Sequence, residues 1–155
     1  MIIVESSSGH ELQVEVVPIE NDDFTSLNEE RYFFDWASEM QNEIFKLRIV
    51  GASEILGLVS LERIPSELRV HVSLLTVSKE NVGSSKKYKN IAGNLLAHVA
   101  KVAVLQDGEN ACFSLRPKTE LVQHYVEEYN MSVTGVTLSM IVPEILELIK
   151  RFDHE

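Results

Sequence analysis

Residues 86–98, KKYKNIAGNLLAH, place three lysines and two asparagines directly before an apolar helical pattern. Lysines are unfavourable at the start of a helix, because the helix dipole already puts partial positive charge there. The unpaired backbone N–H groups of a helix start bind anions well, so an anion held between the lysines and the helix would offset this repulsion. The stretch therefore predicts an anion-binding loop. The alternative is a lysine-rich loop that is merely solvated.

The composition of the chain is that of a globular protein. It has 155 residues, of which 45% are hydrophobic and 25% charged, so we expect one domain spanning residues 1–155. The net charge of −10 argues against nucleic-acid binding, which needs a basic footprint. An acidic surface instead favours a cationic partner, such as a polyamine, an aminoglycoside-like compound or a lysine side chain.

The sequence also predicts where the protein works. No segment has the long apolar run of a membrane span, and the N-terminal MIIVESSSGHE lacks the basic and apolar regions of a signal peptide. The single cysteine, Cys112, cannot form an internal disulfide and lies among apolar residues, which predicts a buried, unreactive thiol. We therefore expect a cytoplasmic protein that does not bind membranes.

The first half of the chain alternates between strand and helix patterns. The stretch ELQVEVVPI, residues 11–19, alternates in polarity and predicts a strand. Ser26 and Glu29 have capping-box spacing and predict the start of a helix. Its apolar side would carry Phe33, Trp36, Ala37 and Met40. An antiparallel meander of three strands should follow, at Ile44–Val50, Ile55–Arg63 and Leu68–Val77.

The second half predicts three helices and two strands. A long helix should run from Asn90 to Gln106, followed by a strand at ACFSLRP, residues 111–117. Pro117 and Thr119 should start a helix that ends at Asn130, and SVTGVTLSMIV, residues 132–142, should be one strand. The last helix should begin at Pro143 and face inward with Ile145, Leu148, Ile149 and Phe152. This order predicts an α/β or α+β fold, a sheet covered by helices.

The order of elements and two motifs resemble the GNAT acyltransferase superfamily. Its Arg/Gln-x-x-Gly-x-Gly/Ala signature lies between the fourth core strand and the next helix, and here Lys87, Asn90 and Ala92 take the three positions. FSLRPKTELVQHYVEEYNM, residues 113–131, looks like the fifth strand and the tyrosine-bearing helix of the family. The run YKNIAGNL and the run PKTELVQHY are also similar to a bacterial branch of GNAT proteins. Asn90 replaces a glycine, so any left-handed backbone there falls to an asparagine, which adopts it more readily than most residues.

The resemblance implies a mixed, mostly antiparallel central sheet flanked by helices, with acetyl-CoA as the cofactor. The pyrophosphate of coenzyme A would lie at the helix start, and backbone N–H groups near the end of the fourth core strand would face the thioester. In this sequence the implied cofactor-binding residues are Leu75, Thr76, Val77, Lys87, Lys89, Asn90, Ile91, Ala92, Gly93 and Asn94.

The catalytic candidates are a tyrosine and two groups that could take a proton. Tyr125, at or next to the family's helix tyrosine, could donate a proton to the leaving thiolate, or it could be a core aromatic that packs beside Tyr129. His71 in the fourth core strand and Glu62 in the third are the candidate bases, although a strand histidine is more often structural. A chain of water molecules could also remove the proton. The five histidines are too dispersed to predict a metal site.

The resemblance implies an N-acyltransferase that moves an acetyl group from acetyl-CoA to an amine, either on a small molecule or at a lysine or N-terminal amine. One alternative is a catalytically silent module of the same fold that binds coenzyme A or another protein. Another is a structural partner in a larger assembly. The segment between the first two core strands, which helps to build the acceptor pocket in the family, is short here, so the second subunit of a homodimer could complete that pocket.

Overall fold

The computed structural model describes residues 1–117 and 121–153. Internal contacts divide the described residues into two compact units, the first formed by residues 1–60 and 74–95 and the second by residues 61–73, 96–117 and 121–153. The expectation of one domain over residues 1–155 stays a prediction.

Nine strands lie in the described residues. They are β1 (Ile2–Glu5), β2 (Glu11–Pro18), β3 (Glu43–Ile49), β4 (Gly57–Ile64), β5 (Arg69–Val77), β6 (Tyr88–Lys89), β7 (Cys112–Leu115), β8 (Ser132–Thr134) and β9 (Thr137–Ile141). They hydrogen-bond in the order β6-β1-β2-β3-β4-β5-β7-β9-β8. The β5–β7 pair is parallel, whereas β1–β2, β1–β6, β2–β3, β7–β9 and β8–β9 are antiparallel. The predicted mixed, mostly antiparallel sheet and the strands of the meander are confirmed.

Four α-helices and five 3₁₀ segments accompany the sheet in the described residues. The helices are α1 (Glu29–Tyr32), α2 (Ile91–Asp107), α3 (Val122–Tyr129) and α4 (Glu144–Phe152). The 3₁₀ segments are Asn21–Ser26, Trp36–Glu39, Pro65–Glu67, Lys79–Asn81 and Gly108–Asn110. None of the helices in this part of the chain is both long and apolar enough to cross a bilayer.

In the first unit, β1 is a strand that the sequence analysis missed. It pairs with β2 through Ile2↔Gln13 and Ile3↔Leu12, and its other edge takes the short strand β6. Three consecutive β-branched residues, Ile2, Ile3 and Val4, favour an extended backbone and were the available signal.

The predicted helix through Phe33 and Met40 is wrong. Helix α1 has only four residues, because Phe33 takes a left-handed backbone conformation with φ of 70° and ends it. The helix is capped by Asn28, whose Oδ1 accepts the backbone N–H of Arg31 at 2.8 Å, and not by Ser26. The chain restarts as a 3₁₀ segment that still buries Trp36, while Phe33 and Met40 are exposed.

The first unit has an apolar core with one buried ion pair near it. The core cluster contains Leu27, Tyr32, Trp36, Ile44, Ile55 and Leu58. The Tyr32 hydroxyl donates to the Ile55 carbonyl at 2.8 Å, which satisfies the polar end of a buried ring. Lys46 on β3 is buried, and its Nζ lies 2.6 Å from Asp23 Oδ2. This pair joins the segment Asn21–Ser26 to the sheet.

In the second unit, the predicted single strand at residues 132–142 is a hairpin. Strands β8 and β9 pair antiparallel, and Gly135 makes the turn between them with φ of 68°. The predicted helix after Pro117 appears as α3, whose described part begins at Val122, and Thr119 lies outside the described residues. The predicted left-handed cap at Asn130 is confirmed by its φ of 58°. Pro143 immediately precedes α4, which buries Ile145, Leu148 and Phe152 as predicted, whereas Ile149, also predicted to face inward, is half-buried.

Candidate functional site

The lysine-rich loop between β5 and α2 begins on buried polar groups of the first unit. The backbone N–H of Ser78 donates to the Leu56 carbonyl at 2.8 Å. Asn81, which is 4% exposed, donates from Nδ2 to Ser78 Oγ at 2.9 Å and accepts the backbone N–H of Tyr88 at 2.8 Å through Oδ1. Because buried polar groups are costly unless they are paired, these bonds fix the path of the loop.

The missed strand β1 holds the other side of this loop. Ser6, which follows β1, donates its backbone N–H to the Lys87 carbonyl at 2.8 Å and its hydroxyl to the Lys86 carbonyl at 2.6 Å. β6 then pairs with β1 through Val4↔Lys89. The lysines are therefore presented from a braced backbone and not from a free loop.

Glu80, the one acidic residue among the lysines, forms an ion pair with Arg31 and not with the lysines. Its Oε1 lies 2.5 Å from Arg31 Nη2 and accepts the Ser78 hydroxyl at 2.9 Å. Burial raises the pKa of Glu80, but the hydrogen bonds from Arg31 and Ser78 outweigh it, so the pKa is lowered. Glu80 therefore stays ionised and forms its ion pair with Arg31, which also pairs with Glu54.

The lysines themselves keep most of their charge uncompensated. Lys79 Nζ lies 3.8 Å from Glu30 Oε1 in a highly exposed pair. Within the described part of the chain, no ion pair involves the remaining lysines of the loop, which are Lys86, Lys87 and Lys89. Lys87 Nζ lies 5.3 Å from the ring centroid of Tyr88, a cation–π distance. The loop thus carries net positive charge on an acidic protein.

Helix α2 starts without any acidic side chain in its first turn, whereas α1 and α4 both carry glutamates there. Asn90, just before the helix, has φ of 78°, which confirms the left-handed conformation expected at the glycine position of the signature. It is exposed, as are Lys87 and Lys89. An exposed, positively polarised helix start beside unpaired lysines is suited to an anion.

Three other predicted cofactor-binding residues, at the start of α2, are buried. Ile91 is 2% exposed, Asn94 is fully buried, and Gly93 is buried as well. Asn94 Nδ2 donates to the carbonyls of Ile2 and Asn90, both at 2.7 Å, so its side chain ties the helix start to β1. In this protein, the side chains of Ile91 and Asn94 position the helix. The backbone N–H of Asn94 donates to the Asn90 carbonyl at 3.1 Å, so the backbone of Ile91 and Gly93 is what could contact a ligand.

Gly57, at the start of β4, is a positioning residue that the sequence analysis missed. A Cβ atom there would lie 2.8 Å from Ile91 Cγ2 and 2.9 Å from Leu95 Cδ1, closer than real contacts allow. The absence of a side chain therefore lets the first turns of α2 pack directly on the strand. A glycine opening an apolar strand was the available signal.

Strand β5 extends beyond its pairing with β7. The parallel ladder joins Val70↔Phe113, His71↔Ser114 and Val72↔Leu115, and β5 then continues to Val77. The ladder thus stops before Leu75, Thr76 and Val77, the strand residues that the resemblance assigned to the cofactor. Thr76 is 7% exposed, so its backbone and not its side chain is the group that could contact a cofactor.

His71 and Glu62, the candidate bases, lie in the second unit. His71 is half-buried, and its Nδ1 lies 2.8 Å from Ser114 Oγ. Burial, and then the charge of Arg69, lowers the pKa of His71, while Glu62 acts in the opposite direction. The ring is therefore neutral at neutral pH. Glu62 is exposed on β4.

Tyr125 lies on α3 in the second unit and is half-buried. Its ring centroid is 6.0 Å from that of Tyr129 and 5.8 Å from that of His124. Burial raises the pKa of Tyr125, so the phenol keeps its proton well above neutral pH. The packing against Tyr129 agrees with the core alternative, and the retained proton agrees with the acid role.

The predicted residues thus fall into two sets. Every predicted cofactor-binding residue, from Leu75 to Asn94, belongs to the first unit. The catalytic candidates Glu62, His71 and Tyr125 belong to the second. The described residues contain no group of three or more His, Cys, Asp or Glu side chains that could hold a metal. Cys112 is half-buried, and burial raises its pKa.

Comparison with known proteins identifies the fold. Neither a family model nor a curated protein matches the chain. A variant of the spermidine N-acetyltransferase SpeG from Vibrio cholerae matches at a TM-score of 0.64 and 13% identity, covering 86% of this chain and 96% of that one. The toxin AtaT, bound to the C-terminus of the antitoxin AtaR and acetyl-CoA, matches at 0.61 and 14%, covering 89% and 99%. An IAA acetyltransferase from Bacillus cereus matches at 0.57 and 13%, covering 83% and 99%. The chain therefore has the fold of the GNAT acetyltransferases.

Proposed function

We propose that this protein is an N-acetyltransferase that moves an acetyl group from acetyl-CoA to an amine. The observation that carries the proposal is the start of α2, where Asn90 takes the left-handed conformation and no acidic side chain offsets the lysines. Solved structures of similar fold are named as acetyltransferases, and the AtaT structure holds acetyl-CoA, which supports the choice of cofactor.

The cofactor site would be built from the first unit. The backbone N–H groups of residues 91–93 would face the pyrophosphate of coenzyme A, because the first N–H groups of a helix have no partner within it. Lys87 and Lys89 would add charge from the braced loop. Backbone groups of Leu75, Thr76 and Val77, beyond the end of the β7 ladder, would face the thioester.

The chemistry needs an acceptor for the amine proton and a donor for the leaving sulfur. Acetyl-CoA supplies a thioester that a neutral amine can attack. The exposed Glu62 carboxylate, directly or through water, is the proposed proton acceptor, and the Tyr125 hydroxyl is the proposed donor to sulfur. His71 is the other candidate for the proton acceptor. Its hydrogen bond with Ser114 determines whether the ring can accept a proton or can only donate a hydrogen bond.

The acceptor is proposed to be cationic in solution. The net charge of −10 attracts such molecules, whether they are small amines or the lysine or N-terminal amine of a protein. The named substrate of the Vibrio cholerae enzyme is spermidine, a polyamine, and a structure of that enzyme is dodecameric. We therefore propose a homo-oligomer with a polyamine-like acceptor as the first assembly and substrate to test.

Acetyl-CoA is expected to stabilise the folded protein. A ligand that binds only the folded state adds about 2.7 kcal/mol to the free energy of unfolding at about 100 times its dissociation constant. Thermal unfolding with and without millimolar acetyl-CoA measures this, with sodium chloride at equal ionic strength as the control for general salt effects. An unchanged melting temperature would remove the cofactor assignment. Binding without turnover on a panel of amines would instead favour the silent module.

Lys87→Ala is expected to weaken acetyl-CoA binding by about fivefold at low salt, because an exposed charge contact contributes ~1 kcal/mol. The loss should shrink at high ionic strength, where the contact is already screened. Calorimetry at low and high salt measures both effects. Lys150→Ala, an exposed lysine on α4, is the matched control and should leave the affinity unchanged. If Lys87→Ala binds like the control, the lysines are only solvated.

A further inference from the structure

Three side chains of the second unit form a chain of hydrogen bonds beside the end of the β5–β7 ladder. Arg69 Nη1 donates to Ser114 Oγ at 2.7 Å, and the same oxygen lies 2.8 Å from His71 Nδ1. Ser114 is 3% exposed, and the register pairs it directly with His71. The ladder ends one residue later, at Val72. His71 therefore stands where β5 leaves β7.

The groups around Ser114 restrict the direction of its hydroxyl. A guanidinium has donors and no acceptor, so Arg69 must give a hydrogen bond to the Ser114 oxygen. Arg69 is itself held by Glu67, 2.5 Å from its Nε, and by the Gln106 side chain, which donates to its carbonyl at 3.3 Å. Donation by a cation polarises the serine O–H and strengthens the bond that this hydroxyl gives in turn. Among the described residues, His71 Nδ1 is the acceptor within reach of this hydroxyl.

We propose that Ser114 is a positioning residue, which fixes neutral His71 with its proton on Nε2 and so makes His71 a hydrogen-bond donor and not a base. In this tautomer the lone pair of the ring is on Nδ1 and is taken by the serine hydroxyl. Nε2–H is then available to stabilise negative charge on the oxygen or sulfur of the reacting thioester. This role rests on the proposed acetyl transfer, whereas the tautomer itself does not.

The charged groups that act on the ring agree with a neutral donor. Arg69 disfavours a second proton on the imidazole, and only the exposed Glu62 favours one. A neutral ring gives its hydrogen bond without first losing or gaining a proton, so its function should not depend on pH near neutrality. The base in the proposed reaction is then Glu62 or water.

The tautomer is measured by ¹⁵N NMR of the histidine rings in the full-length protein without substrate. His71→Gln assigns the His71 signals, since its spectrum lacks them. We expect a protonated Nε2 and an unprotonated Nδ1 in the wild type, a mixture of tautomers in Ser114→Ala, and recovery in Ser114→Thr, which keeps the hydroxyl. Ser139→Ala is the matched control, because Ser139 is the partner of Ser114 on the opposite strand and bonds Thr134 instead. A wild-type ring protonated on Nδ1, or a ring unaffected in Ser114→Ala, would overturn the proposal.

Turnover then tests what the fixed tautomer does. Ser114→Ala should lower kcat by about tenfold with KM for acetyl-CoA unchanged. His71→Ala should lower kcat by about 100-fold, in the range found for loss of one oriented donor. His71→Gln should lose less than His71→Ala, since the glutamine amide can still donate but cannot act as a base. Equal losses in both His71 variants would overturn the donor role. If no amine is acetylated at all, the proposed function fails while the NMR result still decides the tautomer.

Discussion

Asp23→Ala is expected to lower the free energy of unfolding by about 3–5 kcal/mol, because it leaves a buried lysine without its counter-ion. Only 3% of the Lys46 side chain is exposed, and its Nζ is 2.6 Å from Asp23 Oδ2. The same Asp23 oxygen accepts the backbone N–H of Glu20 at 2.8 Å, so the change also removes the cap of a 3₁₀ segment. Urea unfolding followed by the fluorescence of Trp36, the single tryptophan and 1% exposed, measures the loss.

Two further variants separate the buried charge from other causes. Glu15→Ala breaks the pair between Arg48 on β3 and Glu15 on the neighbouring β2, whose side chains are 29% and 37% exposed, and should cost less than about 1 kcal/mol. Adding Lys46→Met to Asp23→Ala removes the stranded charge and should recover much of the stability. A cost for Asp23→Ala no greater than that for Glu15→Ala would show that Lys46 reaches water.

The Asp23–Lys46 ion pair also makes the stability of the fold depend on pH in the acidic range. Burial raises the pKa of Asp23, but the hydrogen bonds from Lys46 and Glu20 and the charge of Lys46 outweigh it, so the pKa lies below its ordinary value of 3.8. A lowered pKa stabilises the fold fully above the unfolded value and loses that contribution as the pH falls through the folded value. Below about pH 4, the wild type should therefore lose stability more steeply than the Asp23→Ala/Lys46→Met double variant.

Local patterns predicted the parts of the fold that local chemistry decides. Alternation placed β2, and runs of strand-type residues between turn signals placed β3 to β5. An apolar stripe placed α2, and the need for a left-handed residue was met at Asn90, where φ is 78°. The broken helix at Phe33 was not predictable in this way. The apolar residues of this region have helical spacing. In the structure, however, two short segments and not one continuous helix bring Tyr32 and Trp36 into the same core.

The candidate site depends more on contacts that are distant in sequence. Ser6 binds the Lys86 carbonyl across 80 residues, and Arg31 takes Glu80 across 49. His71 and Ser114 are 43 residues apart. No local sequence pattern predicts such pairs. The sequence therefore shows that Glu80 is a neighbour of the lysines, but it could not show that Glu80 forms an ion pair with Arg31. The residue types in the sequence indicated the candidate site residues, whereas the tertiary fold determined which groups form hydrogen bonds or ion pairs with them.

Tyr125→Phe is expected to lower kcat by about 100- to 1000-fold while leaving the affinity for acetyl-CoA nearly unchanged. The proposed role needs only the hydroxyl, and loss of an acid or hydrogen-bond donor to the leaving group has effects of this size. Phenylalanine keeps the ring that packs on His124 and Tyr129. Because burial raises the pKa of Tyr125, its contribution should persist from neutral into alkaline pH. Turnover is measured by release of free thiol, and affinity by calorimetry.

Tyr129→Phe is the matched control, because Tyr129 shares α3 and the same aromatic cluster. Burial, with smaller contributions from Glu128 and Tyr125, raises its pKa to about 12, so its hydroxyl is also protonated at neutral pH. Its ring packs against Phe152 of α4, 6.4 Å between centroids, and lies under Arg151, which fits a structural role. Its variant should keep kcat within about twofold of the wild type. If Tyr125→Phe turns over like Tyr129→Phe, both tyrosines are core aromatics, and the proton for the thiolate must come from water.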